Sequence, residues 1–289
     1  MKHLGGPKGG LIVAVAVLTI LATGCGSSSD SASNKASSTT AKQGSATTTS
    51  KPASKTLTIL VSNDDGVSAP GIDALVSALA KLPDTALEVA APSNDMSGTG
   101  GKTTPGTLVA HATTTASGYP AHSVDGFPAD SVIWALDDHG VPTKPDVVMS
   151  GTNAGQNLGP IVDFSGTVGA ARAGAAREIP AIAISTGGGN PMDFQGTVKV
   201  ALDWLAQHRA ALLAHTEPVA VTNLNVPTCT KGTPRGPVTV PSATDAGARS
   251  VVDGAGVDCT QTVMNPPNDV EAFFDGFAVF AAIPIKSSH

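Results

Sequence analysis

Basic residues are scarce: 17 Lys and Arg stand against 23 Asp and Glu in 289 residues, a formal net charge of −6. Residues 1–55 carry six Lys and one Asp, a net of +5, which leaves −11 on residues 56–289. A nucleic-acid-binding domain needs a basic face to replace the counterions of the phosphate backbone, so that class is set aside. Small phosphate esters stay compatible, because a bound metal or a helix N-terminus supplies local positive potential inside an acidic protein. Aromatic residues make up only 3%, with one Tyr and two Trp. Only three cysteines occur, and none has the close partner spacing of a zinc site. No tandem repeat is present, and no Gly-x-Gly-x-x-Gly follows the first apolar run of the domain, which removes the dinucleotide-binding fingerprint.

The chain also lacks an apolar run long enough to cross a membrane. Its apolar stretch Leu11 to Ala22, preceded by Lys2 and Lys8, has the length of a signal-peptide core. The residues Leu21-Ala22-Thr23-Gly24-Cys25 resemble a bacterial lipobox, with Ala22 where Leu is more usual. Residues 1–24 are therefore expected to be a lipoprotein-type signal peptide and Cys25 the lipidated N-terminus; ordinary secretion with cleavage nearby is the alternative. Residues 25–55 are dominated by Ser, Thr, Ala and Lys, and hold too little apolar surface to offset their chain entropy. They read as a tether that holds a domain, residues 56–289, off the outer face of the cell membrane. In an exported chain Cys229 and Cys259 form an even pair, and a disulfide between them is expected, two buried thiols being the alternative.

The domain opens on the apolar run Leu57-Thr58-Ile59-Leu60-Val61, which runs into Asn63-Asp64-Asp65-Gly66. Pro70 then suits a first helical turn, and Ile72, Leu75, Val76, Leu79 and Leu82 fall at helical spacing. Further strands are predicted at Ala86 to Ala91, Pro145 to Ser150 and Ala181 to Ser185. Helices are predicted from Pro128 to Asp138, from Ser165 to Glu178, and along the stripe Phe194, Val198, Ala201, Leu202, Leu205 and Leu212. Strands alternating with helices predict a doubly wound parallel α/β sheet in three layers. After Val219 the chain turns to short β-prone runs rich in Pro, Gly and Thr, predicting a β-rich C-terminal extension. Its apolar tail, with Phe273, Phe274, Phe277 and Phe280, is expected to be buried, on its own domain or on a second subunit.

Parallel strands deliver their carboxyl ends to one edge of a sheet. That edge gathers Asp64 and Asp65, Ser97 from the loop Pro92 to Gly101, and Asn153. Carboxylate, hydroxyl and amide oxygens suit a hard divalent cation such as Mg²⁺, Mn²⁺ or Ca²⁺, whereas Asn, Asp and Gly also make ordinary turns. Ser165, Gly166 and Thr167, at a predicted helix N-terminus, could bind phosphate or simply cap the helix. Asn63 is a further candidate for substrate binding, with loop shaping as its alternative, and Asp130 reads as a helix cap.

Taken together the loops resemble the SurE family of stationary-phase survival proteins, metal-dependent nucleotidases and acid-type phosphatases. The matching stretches are Ser62 to Gly66 with Ala69-Pro70-Gly71, Ala91-Pro92 leading to Ser97-Gly98, Val124 to Asp130, Ser150 to Gly159, Phe164 to Val168, and the tail Asn268 to Ile285. The resemblance implies one divalent cation, Mg²⁺ or Mn²⁺, held by Asp64, Asp65, Ser97 and Asn153, with the two aspartates the candidate catalytic residues. It implies hydrolysis of phosphomonoesters, typically nucleoside 5′- or 3′-monophosphates, and a homodimer or tetramer. Pro160 and Ile161 stand where acidic residues are common in the family, Ala173 where a glutamate is usual, and Phe127 where a small polar residue is. The altered loop after Gly159 keeps open a second reading, a surface lipoprotein that binds metal and nucleotide without turnover.

Overall fold

The computed structural model describes residues 55–138, 140–245 and 254–286. The signal peptide, Cys25 and the tether up to Ser54 lie outside the described residues. Among those described, no helix is long and apolar enough to cross a membrane.

The first βα unit follows from its residues. The apolar run forms strand β1 (Leu57–Ser62), and helix α1 (Pro70–Leu79) starts with Pro in its first turn and buries Ile72, Leu75, Val76 and Leu79. Strand β2 (Thr85–Pro92) pairs parallel to β1. Then come strands β3 (Ala110–Thr114) and β4 (Pro120–Val124), helix α2 (Pro128–Asp137) and strand β5 (Val147–Ala154). A 3-10 turn, Gly159–Asp163, leads into helix α3 (Gly166–Ala175), strand β6 (Ala181–Thr186), helix α4 (Phe194–Leu213) and strand β7 (Val221–Val226). The chain closes with β8 (Cys229–Lys231), β9 (Arg235–Thr239), β10 (Val257–Asp258), α5 (Asp269–Phe274) and β11 (Phe277–Ile283).

Nine strands make one sheet in the order β3-β4-β2-β1-β5-β6-β7-β11-β9. Pairings across β2, β1, β5, β6 and β7 are all parallel, whereas β3 runs antiparallel to β4 and β11 antiparallel to β7. The sheet is thus mostly parallel, with antiparallel additions toward both edges. One face packs on α1 and α4 through Ile72, Leu75, Val198 and Leu205; the other packs on α2 and α3 through Val132, Val168 and Ala171. These are the three layers of an α/β sandwich.

Three expectations change. The strand predicted from Pro145 to Ser150 continues to Ala154, so Asn153 sits at the end of a strand and pairs with Ser185 of β6. The exposed hairpin β3–β4 was not anticipated: Ala110 to Thr114 offers no apolar alternation. The β-rich C-terminal part is largely absorbed into the main sheet. Only β8 and β10 form a separate two-stranded piece, where Cys229 and Cys259 are joined in a disulfide with Cα atoms 5.6 Å apart. The apolar tail is buried on its own domain, with Phe273 and Phe277 packed against Leu158 and Val257.

Candidate active site

The direction of the sheet winding places the site. From β1 the chain moves outward to β2 and β4, then returns to lay β5 on the other side of β1. The crevice between the carboxyl ends of β1 and β5 is therefore a topological switch point, where open α/β sheets bind ligands. A cavity of about 500 Å³ occupies it, lined by Asp64, Ser97, Asn153 and Ser165 among others.

Asp64 is fixed from below and from the side. It follows directly on β1, is 2% exposed, and its Oδ1 accepts a 2.5 Å hydrogen bond from the Thr167 hydroxyl. Helix α3 comes this close because residue 166 is glycine: a Cβ there would lie 2.7 Å from Asp64 Cβ and 2.9 Å from Pro128 Cγ. The N-terminal end of α3, with its unpaired N–H groups, thus abuts the carboxylate. Burial pushes the Asp64 carboxyl upward, against the hydrogen bonds from Thr167. Asp65 is half-buried and accepts from the Ala154 backbone N–H at 2.9 Å. Burial first, and then the Asp64 charge, push its carboxyl up to about 7.

Ser97 belongs to the loop after β2. The Ser97 hydroxyl and backbone N–H both donate to Asp95 Oδ1, at 2.7 and 2.8 Å, which leaves the hydroxyl oxygen's lone pairs available. The loop is tied to the rest of the site by Met96 N–H donating to the Asp64 carbonyl and Gly100 N–H to the Phe164 carbonyl. Helix α3 presses on it at Gly169, where a Cβ would fall 2.0 Å from the Gly100 oxygen. Asn153 donates its amide nitrogen to the Gly155 carbonyl at 2.6 Å, so its amide oxygen is the group left to act as a ligand.

The structure sorts the sequence candidates. Asp64, Ser97, Asn153 and Ser165 share the cavity wall, with Asp65 beside Asp64 and anchored to the end of β5. Ser165 Oγ accepts from Val168 N–H and caps α3. The Thr167 hydroxyl is spent on Asp64, and Gly166 packs on that same side chain. Asn63 is fully buried and donates to the Gly66 carbonyl at 2.9 Å, which shapes the loop and places it off the cavity wall. Asp130 accepts from the backbone N–H groups of Phe127 and Thr104 at the start of α2, as a helix cap. Asp95 was missed: its charge adds to the upward push on both Asp64 and Asp65, yet nothing in linear spacing shows that its loop folds back over β1.

These donors fit a hard cation. Among the described residues no cluster of three or more His, Cys, Asp or Glu is placed to hold a metal ion, so two carboxylates would be completed by neutral oxygens. No Lys or Arg is among the residues lining the cavity, so no basic side chain there offsets the buried Asp64 charge. A buried acidic pair without a cationic neighbour favours either a proton or a metal ion.

Residues 59–263 match the family model described as "Survival protein SurE". The chain is 40% identical over 171 residues to "5'-nucleotidase SurE" of Sorangium cellulosum, covering 58% of this chain and 64% of that protein. It is 39% identical over 176 residues to "5'-nucleotidase SurE" of Prochlorococcus marinus, covering 60% and 64%. The matched stretches thus span somewhat less than two thirds of those relatives. Its fold is similar to the crystal structure of the SurE protein from Aquifex aeolicus, with a TM-score of 0.63 and 27% identity over 80% of this chain and 95% of that one. With most of its domain matched in sequence and in fold, this chain belongs to the SurE family.

Proposed function

We propose that this chain hydrolyses phosphomonoesters, nucleoside 5′- or 3′-monophosphates foremost, with one divalent cation, Mg²⁺ or Mn²⁺, as its cofactor. One observation carries the reading: Asp64, Ser97 and Asn153, from the carboxyl ends of three adjacent parallel strands, line a single cavity together with the capped N-terminus of α3. The names of the similar proteins from S. cellulosum and P. marinus support the same chemistry.

When bound, the cation would neutralise charge on the phosphoryl group and acidify a water for attack. Asp64, Asp65, Ser97 and Asn153 would hold it. The chain's own contribution is positioning: Thr167 and Gly166 set Asp64, Ala154 N–H sets Asp65, and Asp95 orients the Ser97 hydroxyl. Pre-set ligands need no rearrangement as charge develops in the transition state. Ser165, on the cavity wall at the head of α3, places that helix's N-terminal N–H groups toward a phosphate.

The setting belongs to the same reading: export, a lipidated Cys25 at the outer face of the cell membrane, and a homodimer or tetramer. The basic start, apolar core and lipobox-like residues support the anchor.

The decisive assay offers the full chain a panel of nucleoside monophosphates with Mg²⁺, Mn²⁺ or EDTA. Turnover with metal is expected, with at least ~100-fold loss in Asp64→Asn. Turnover that persists in EDTA would sink the metal mechanism; binding of metal and nucleotide without turnover would select the binding lipoprotein instead. For the anchor, labelled palmitate incorporation should vanish in Cys25→Ala, and its survival there would contradict lipidation at that residue.

A further inference from the structure

Besides its oxygen donors, the cavity wall carries Ile161, Phe164 and Met192. All seven phenylalanines lie within the described residues, and six are buried or half-buried; Phe164 is 59% exposed. Exposing a large apolar ring is unfavourable by its area, and this one stands at the site rather than on a remote surface. Its backbone is rigidly held. Phe164 N–H donates to the Ile161 carbonyl at 3.0 Å, and its carbonyl accepts from Gly100 at 2.9 Å. One residue later Ser165 caps α3, whose start packs on Asp64. Met192 reaches the cavity from the opposite layer. It precedes Asp193, which caps α4 on the other face of the sheet.

We propose that Phe164 and Met192 grip the planar base of a nucleoside monophosphate whose phosphate lies against Asp64, Ser97 and Asn153. This deepens the phosphomonoesterase reading and rests on it. A flat π-system between an aromatic face and a polarizable thioether gains stacking and sulfur–aromatic contact. A cavity of about 500 Å³ is within the usual size of small-molecule sites.

The nearby polar groups indicate how selective the grip is. Asn157 N–H donates to Asn225 Oδ1 at 2.7 Å, its amide nitrogen donates to Ser185 Oγ at 3.0 Å, and its carbonyl accepts from Asn223 and Asn225. Gln156 Oε1 accepts from Gly188 N–H. Groups committed inward in this way do not read base edges, so the base is recognised by its face. Such recognition accepts any base and favours purines, which offer the larger stacking area.

The test compares kcat/KM for AMP, UMP and ribose 5-phosphate, which lacks a base, using the full chain with Mn²⁺. The wild type should favour AMP over ribose 5-phosphate by ~10-fold or more, with UMP between them. In Phe164→Ala that ratio should collapse toward one, mainly through a higher KM for AMP, and Phe164→Trp should restore it. An unchanged ratio in Phe164→Ala, or a wild type that treats the two esters alike, overturns the proposal. Turnover of neither ester overturns the phosphomonoesterase reading and this one with it, whereas turnover without the preference overturns this one alone.

Discussion

Asp64 shows how much of a site depends on what stands beside a residue. Its identity and its place after an apolar run were plain in the chain, and so were those of Ser97 and Asn153. Its closeness to α3 was not, because it depends on residue 166 having no side chain. Gly166→Ala should therefore damage the site without touching any candidate ligand. The added methyl would overpack against Asp64 and Pro128 and cost about 1–3 kcal/mol. A lower melting temperature is expected, with a smaller Mn²⁺-induced thermal shift than wild type. An unchanged melt and an unchanged shift would show that α3 does not set Asp64. Asp95 illustrates the opposite limit: it is an unremarkable loop aspartate in sequence, and only folding brings its charge to bear on the Asp64–Asp65 pair.

Elements were legible where periodicity was strong. Buried β1, β6 and β7 and the stripe on α1 could be read directly, since apolar spacing reports burial. The β3–β4 hairpin could not, because its mostly exposed residues owe their strand geometry to pairing at the sheet edge. Helix α1 fastens this hairpin: Asp73 Oδ1 accepts from the Thr115 hydroxyl and from the Ser117 hydroxyl and N–H, each at 2.7 Å. Partial burial opposes ionisation of Asp73, but these hydrogen bonds win and hold its carboxyl below the usual range. A carboxyl lowered in the folded state stabilises above its unfolded value, near 4, and that contribution fades as pH falls through the folded value. Asp73→Asn should thus melt at a lower temperature than wild type at pH 6, and the gap should narrow below about pH 4. A gap independent of pH would show that the Asp73 charge contributes nothing to the clasp.

At the scale of the molecule, the disulfide and the tail decide how the C-terminal part holds together. The bridge spans 30 residues and ties β8 to the segment after β10, beside the apolar cluster of Leu158, Val270 and Phe273. Closing a loop of that length contributes about 3 kcal/mol on the chain-entropy account. The Cys229→Ser, Cys259→Ser double variant should lose about that much in urea unfolding, and a reductant should lower the wild type to the same midpoint. Equal midpoints for oxidised wild type and double variant would remove the bridge from the account of stability.

The sequence by itself determined the α/β class, the strand ends that carry Asp64, Ser97 and Asn153, and the family resemblance. Each rests on local information: apolar periodicity, turn residues, and motifs a few residues long. Tertiary structure alone decided that Thr167 serves Asp64 rather than substrate, that Asn63 shapes its loop, and that the C-terminal strands join the main sheet. It also set Phe164 and Met192 on opposite sides of one crevice. Those outcomes depend on packing between segments up to about a hundred residues apart, where a missing Cβ or a committed hydrogen bond selects one arrangement among several that the local pattern allows.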